Sequence, residues 1–275
     1  MHVQFHRIEP HPLLKPHVSK MWVFRSDGKM PDDDVKLVVP NGNLKLTVSC
    51  KNGIVAAIDG QTFSSKEHDI TLSGLINVPV ILDAEKDVPT ETIGIEFNPK
   101  SAHRFFRFSL NEIQNRIYSI NDLMGPGGRL LIEQINNTQS ISTKLDILQQ
   151  YLIGQLSIQN EDLIFEHCID KIVKSNGAVT VKELEDETGY SSRWLNMKFG
   201  DKLGTSPKNL ASIIRFKHYY QSFISDNEQS FFREDFYRLY YDQSHFIKDF
   251  KRFTGFSPTK LEKRENDFGK RYFEE

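Results

Sequence analysis

At 275 residues, 38% hydrophobic and 26% charged, the chain has room for two ordinary domains and the make-up of a water-soluble protein. No apolar run approaches the roughly 20 residues needed to cross a bilayer, and the first residues lack the basic-then-apolar pattern of a secretory leader, so no membrane partner is expected. A net charge of −2 counts against a nucleic-acid partner, for which a basic domain is the usual footprint.

In chain order, residues 18–24 (VSKMWVF) form a β-rich run. VKLVVP and LKLTVSC then flank Asn41-Gly42-Asn43, and Asn-Gly between apolar runs signals a hairpin. GIVAAIDG, SGLINVPVILDA and ETIGIEFNP follow as short strands parted by Gly, Pro and Asn. This spacing predicts a small antiparallel barrel or sandwich. From Pro99 the period turns helical. SAHRFFRF, LNEIQNRIYSINDLM and RLLIEQINN read as short helices broken at Gly125-Pro126-Gly127-Gly128, and SISTKLDILQQYLIGQL as a longer one. Its Leu145, Leu148, Leu152 and Leu156 form a stripe that either buries in the same domain or pairs with a second copy.

Catalytic chemistry is not signalled. The histidines show no metal-ligand spacing, and no phosphate loop, GxSxG elbow or HExxH occurs. The GPGGR stretch lacks the Lys-Ser/Thr of a phosphate loop and reads as a loop breaker. Cys50 and Cys168 form neither a disulfide framework nor a Cys-x-x-Cys motif, which points to a reducing cytoplasm. No cofactor, metal or enzymatic activity is expected.

The second half repeats itself. A helix runs to Asn176-Gly177. Thr180 caps VKELEDETG, Gly189 ends it, and Ser191 or Ser192 caps RWLNMKFGDKL. Helix, tight Gly turn, helix is a helix-turn-helix signature. Leu195, Phe199, Gly204, Ser206 and Pro207 then recur at Phe246, Phe250, Gly255, Ser257 and Pro258, always 51 residues on. Two helix-turn-helix units, 179–203 and 231–254, are therefore expected, joined by the apolar-striped helix PKNLASIIRFKHYYQSFI. Locally the charge reverses. Residues 191–217 carry six basic side chains against one acidic, and 248–264 six against two.

The run Asp242-Gln-Ser-His-Phe-x-x-x-Phe-Lys-Arg-x-x-Gly-x-Ser-Pro258 closely resembles the DNA-binding domain of AraC/XylS-type bacterial transcription regulators. The resemblance spans about 179–263, and the first unit shares it more loosely. The first half is similar to that family's β-barrel with helices by architecture and by short pieces such as Phe97-Asn98-Pro99. The fold class implied is α+β, with residues 1–158 sensing or dimerising and 159–275 binding DNA. Two recognition helices would enter successive major grooves.

The resemblance implies double-stranded DNA as partner, with a small-molecule effector, a homodimer and, for an activator, RNA polymerase as further partners. Ser192, Arg193 and Asn196 of the first unit and Gln243, Ser244, His245 and Lys248 of the second are the base-reading candidates, Arg suiting guanine and Asn adenine. Ser244 and His245 could instead cap and pack. Lys251, Arg252, Lys202 and Lys208 suit phosphates. Trp194 fits either the core or a backbone contact. Trp22, Phe24, Phe63 and Phe97 are the candidate lining of an effector cavity. The sequence departs from the family at Met197, where Arg is common, and at Glu185, where a small residue is common. In the second unit Leu239 replaces the turn Gly and Asp235 falls near the small position. The alternative reading is a ligand-binding or enzymatic β-barrel with a helical interaction module.

Overall fold

The computed structural model describes residues 3–156, 162–225 and 239–274. The fold is α+β. Its strands are β1 (Val3–Arg7), β2 (Val18–Ser26), β3 (Leu37–Val38), β4 (Leu44–Lys51), β5 (Ile54–Ile58), β6 (Gln61–Ser64), β7 (Ile70–Ser73), β8 (Val80–Ala84), β9 (Thr90–Phe97) and β10 (Ile117–Ser119). They form an antiparallel six-stranded sheet, β1-β2-β9-β4-β7-β10, and a four-stranded one, β3-β8-β5-β6. Side chains of both sheets line one shared cavity, so the sheets close on each other as the strand pattern predicts.

Strand alternation decides what faces the cavity. In β2, Met21 and Val23 join the main core, whereas Trp22 and Phe24 belong to a separate cluster on the other face. Trp22 pairs with Gly94 across the sheet, and a β-carbon at Gly94 would lie 2.2 Å from the indole ring. In β4 the sequence LKLTVS sends Leu44, Leu46 and Val48 to the main core and turns Lys45 and Thr47 toward the cavity.

Asn41-Gly42-Asn43 turns the chain, with Gly42 at φ 87°, but does not make the expected hairpin. β3 before it pairs with β8 of the small sheet, and β4 after it pairs with β7 and β9 of the large one. The turn is thus a crossing between sheets, held by side chains. Asn41 Nδ2 donates to both Glu96 oxygens at 2.9 Å, and Asn43 Nδ2 donates to Oε2 at 2.8 Å.

The helices are α1 (Ile120–Met124), α2 (Pro126–Asn136), α3 (Ile141–Gln155), α4 (Leu163–Lys174), α5 (Val181–Thr188), α6 (Ser192–Leu203), α7 (Pro207–Ser225), α8 (Gln243–Thr254), α9 (Pro258–Leu261) and α10 (Asp267–Glu274). Residues 102–105 and 110–113 make single 3-10 turns rather than full helices. The Gly-rich break is narrower than expected. Gly125 alone breaks the chain, Pro126 starts α2, and Gly128 lets the helix press on the Ile120 carbonyl. Leu145, Leu148 and Leu152 of α3 bury in the core of the same chain, which settles the direction of that stripe. Lys144 is buried beside them and donates to the Ile135 carbonyl at 3.0 Å, satisfying the end of α2.

The expected division near residue 158 lies outside the described residues. A single buried cluster runs from the six-stranded sheet through α3 and α4 into α6, α7 and α8. Gly42 lies beside it from the barrel side, where a β-carbon would stand 3.4 Å from Leu210 and Ile214 on α7.

His103 sits at this junction, edge-on to Phe165 at 5.6 Å. Burial, then Lys202, push its imidazole down to about 4 from an ordinary 6.5. The folded chain therefore resists protonation where the unfolded chain accepts it. Stability from this site is complete above pH 6.5 and is lost as pH falls toward 4. Urea midpoints measured across that window should decline with acid, and His103→Gln should flatten the decline.

Candidate nucleic-acid interface and barrel cavity

Helix α5 opens on a reciprocal capping box. Thr180 Oγ1 accepts from Glu183 N at 3.2 Å, and Glu183 Oε2 accepts from Thr180 N at 2.7 Å. Gly189 stops it in the left-handed region at φ 73°. Ser191 caps α6 by accepting from Trp194 N, so Ser192 is the first helical residue and not the cap. Glu185, an acid where a small residue was expected, is put to use. It accepts from Ser192 N and so caps α6 a second time, where the helix dipole favours negative charge.

Leu195, Phe199 and Leu203 pin the back of α6 in the core, leaving Arg193, Asn196 and Met197 exposed and Ser192 half-buried. Trp194 is half-buried, packed on the core and stacked on Tyr190 at 4.0 Å with the Lys198 ammonium over its ring. Lys202 does not point to open solvent. Asp162, at the start of α4, holds Lys198 at 2.7 Å and Lys202 at 3.4 Å. Lys208 is exposed.

Helix α8 repeats the plan more sharply. Asp242 Oδ1 accepts from His245 N at 2.7 Å, and Gly255 ends the helix at φ 77°. Phe246, Phe250 and Phe253 are buried, Phe250 lying edge-on to Phe216 of α7 at 5.7 Å. The matching Gly204 of α6 has φ 75°, so the 51-residue sequence repeat is also a backbone repeat. Gln243, Ser244, Lys248, Lys251 and Arg252 are exposed. Arg252 also donates to Asn209 Oδ1 at the start of α7, tying the second unit to the spacer.

His245 is half-buried. Its ring lies edge-on to Tyr240 at 5.3 Å, with Nε2 3.7 Å from the buried Asp249 Oδ2. Burial holds the Asp249 carboxyl above the usual range, despite His245, Arg215, Arg252 and Lys248 nearby. The helix expected to precede α8, with Asp235, lies outside the described residues; Leu239 packs half-buried against the core.

The second site is the barrel cavity, which encloses about 80 Å³. Trp22, Phe24 and Phe63 line it as expected. Phe97 does not. Its position in β9 turns it to the opposite sheet face, where it packs on Phe105 at 4.8 Å and Phe106 at 5.5 Å. Ile54, Ile58, Val80 and Leu82 of the small sheet line the cavity, and the large sheet adds Lys45, Thr47, Thr71, Ser73 and Thr92 to the aromatic Trp22 and Phe24. Thr92 is buried and its Oγ1 has no hydrogen-bond partner.

At the polar end, Lys45 Nζ lies 3.4 Å from Glu96 Oε1 and 4.7 Å from the centre of the Tyr272 ring. Burial opposes the Glu96 charge, but Lys45, Lys20 and the two Asn amides outweigh it and hold its carboxyl below the usual range. Burial likewise opposes the Lys45 charge, and Tyr272 and Glu96 outweigh it. Nothing in the chain order announces that Lys45, Glu96 and Tyr272 meet. The one local signal is the regular LKLTVS alternation, which places a lysine on an inward face.

Residues 6–119 match a family described as a domain of unknown function, DUF6597. No curated protein matches the chain. Among solved structures, it is similar to ToxT from Vibrio cholerae, at 13% identity over 87% of this chain and 97% of that one, with a TM-score of 0.47. Unsaturated fatty acid-bound ToxT from the same organism is similar at 14% identity over 93% and 96%, with a TM-score of 0.46. A cupin superfamily protein from Desulfitobacterium hafniense is similar over 35% of this chain and 77% of its own, at 12% identity and a TM-score of 0.27.

Gln243 is exposed in the first turn of α8 while the back of that helix is fixed, so its removal should spare the fold and, if α8 reads DNA, be felt there. Gln243→Ala should relax preference at one base step at a cost of about 1–3 kcal/mol. Retardation assays on a randomised site library read this directly; an unchanged preference removes Gln243 from the reading surface.

Proposed function

We propose that this chain is a sequence-specific, DNA-binding transcription regulator of the AraC/XylS type. In this reading α6 and α8 enter successive major grooves and α7 sets their separation. The observation that carries it is the repeated unit. Two capped helices of the same length, ending at Gly204 and Gly255 with φ 75° and 77°, each bury an aromatic-aliphatic back and leave polar and cationic side chains outward. Arg193 and Asn196 would read bases from the first, Gln243, Ser244 and Lys248 from the second, with His245 steadied beside Asp249. Lys208, Lys251 and Arg252 would hold phosphates.

The barrel would take a small effector. A largely apolar cavity with a patch of hydroxyls and an unpartnered Thr92 Oγ1 suits an amphipathic molecule. Occupancy would reach DNA through the 41–43 turn, which binds Glu96 on one side and lies close to α7 on the other. The reading places the regulator in the cytoplasm, acting as a homodimer and, where it activates, on RNA polymerase. It assigns no catalysis. Both thiols are buried, and burial pushes each up to about 11, away from nucleophilic chemistry.

Selection from genomic fragments by the full chain should return a two-part site with one half per unit. Affinity for it should fall steeply as salt rises, because phosphate contacts release counterions. Failure to enrich any sequence, or salt-insensitive binding, would refute the regulator reading.

A further inference from the structure

The barrel cavity is closed by the chain's own end. Asn266 mimics a strand residue beside β3, accepting from Leu37 N at 2.8 Å and donating to Leu37 O at 3.0 Å. Asp34 Oδ2 accepts from Phe268 N at 3.0 Å, and Val35 N donates to Glu265 O. From this clamp α10 delivers two rings to the cavity mouth. Phe268 packs on Phe24 at 5.9 Å, and Tyr272 stands edge-on to Trp22 at 5.7 Å with its ring over the Lys45 ammonium. Both rings count among the cavity's lining.

The space left behind them is about 80 Å³, well under the ~300–1,000 Å³ of sites that enclose a small organic molecule. Two ammonium groups meet this helix at the polar end. Lys45 stands 3.4 Å from Glu96 with its charge over the Tyr272 ring, and Lys20 donates to the Phe273 carbonyl at 3.3 Å.

We infer that α10 is a displaceable internal occupant of the effector site, and that the ligand which replaces it is a small aromatic molecule bearing one acidic oxygen. The incoming ring would take the place of the Tyr272 phenol between Trp22 and Lys45, and its acidic oxygen would face the Lys45 ammonium. Because α10 follows α8 by a dozen residues, its release would loosen the mooring of the second recognition helix to the barrel. The inference rests on the effector reading above and adds to it the ligand class and the element that moves.

The attachment of α10 can be weakened without altering the cavity wall. A β-carbon at Gly269 would lie 1.9 Å from the Leu37 carbonyl oxygen, so Gly269→Ala must lift the helix from β3. The test uses full-length chains and 4-nitrophenol as probe, followed by the absorbance of its phenolate band, with thermal melts to confirm folding. Tyr272→Ala and Gly269→Ala should each bind the probe at least tenfold more tightly than the wild type, and Lys45→Met should bind it at least tenfold more weakly. Hydrogen exchange of residues 265–274 in the wild type should speed up when the probe is added.

Weaker binding by folded Tyr272→Ala and Gly269→Ala, or unchanged exchange at probe saturation, would overturn the inference and make α10 a fixed wall. Tighter binding with faster exchange but no change in DNA retardation would uphold the displaceable occupant. It would at the same time refute control of DNA binding by the cavity.

Discussion

A buried carboxylate organises this molecule. Glu96 is 2% exposed in the middle of the six-stranded sheet, and it is tolerated because two Asn amides and Lys45 satisfy it. Those amides belong to the turn that carries the chain from one sheet to the other, so the same hydrogen bonds that stabilise the charge fix where the sheets meet. The outer side of that turn lies close to the spacer helix, where a β-carbon at Gly42 would meet Leu210 and Ile214. Losing one partner of such a group typically costs about 3–5 kcal/mol. Here the loss would be shared by the sheet crossing, the cavity and the seat of α7.

The helical half depends on a different economy. Neither α6 nor α8 is long, and each is held by terminal capping and a narrow apolar back. In α6 the cap is doubled by Glu185; in α8 a single Asp242 cap is joined by three buried phenylalanines. Most outward side chains are thereby free of structural duty, though Arg252 ties α8 to Asn209 and His245 lies beside Asp249. Lys198 and Lys202 are also engaged. Asp162 engages both, so they serve the seam between α4 and α6.

The sequence reveals local patterns and hides long-range meetings. The 51-residue repeat, the glycine stops and the inward phenylalanines were legible because they depend on residues within a few helical turns. β2, β4, β5, β8 and β9 were visible as apolar runs, and Trp22, Phe24 and Phe63 as cavity residues. Phe97 was misplaced because hydrophobicity does not tell which face of a doubly covered strand a side chain takes. Asn41-Gly42-Asn43 was misread because a turn sequence specifies a turn and not the sheet its flanks will join. Glu185 departs from the family's small residue, and only the fold brings it to Ser192 N as an acceptor. Lys45, Glu96 and Tyr272 are separated by up to 227 residues, and no spacing rule brings them together.

The Asn266–Leu37 pairing has a consequence of its own. β3 is two residues long and stands at the border of the small sheet, where backbone groups would otherwise lie bare. The Asn266 amide occupies those groups as a neighbouring strand would. With α10 in place the border is sealed; with α10 lifted, the molecule carries an unpaired strand edge, the kind of surface on which chains add to one another. A form in which α10 had lifted would therefore also expose a surface that favours self-association.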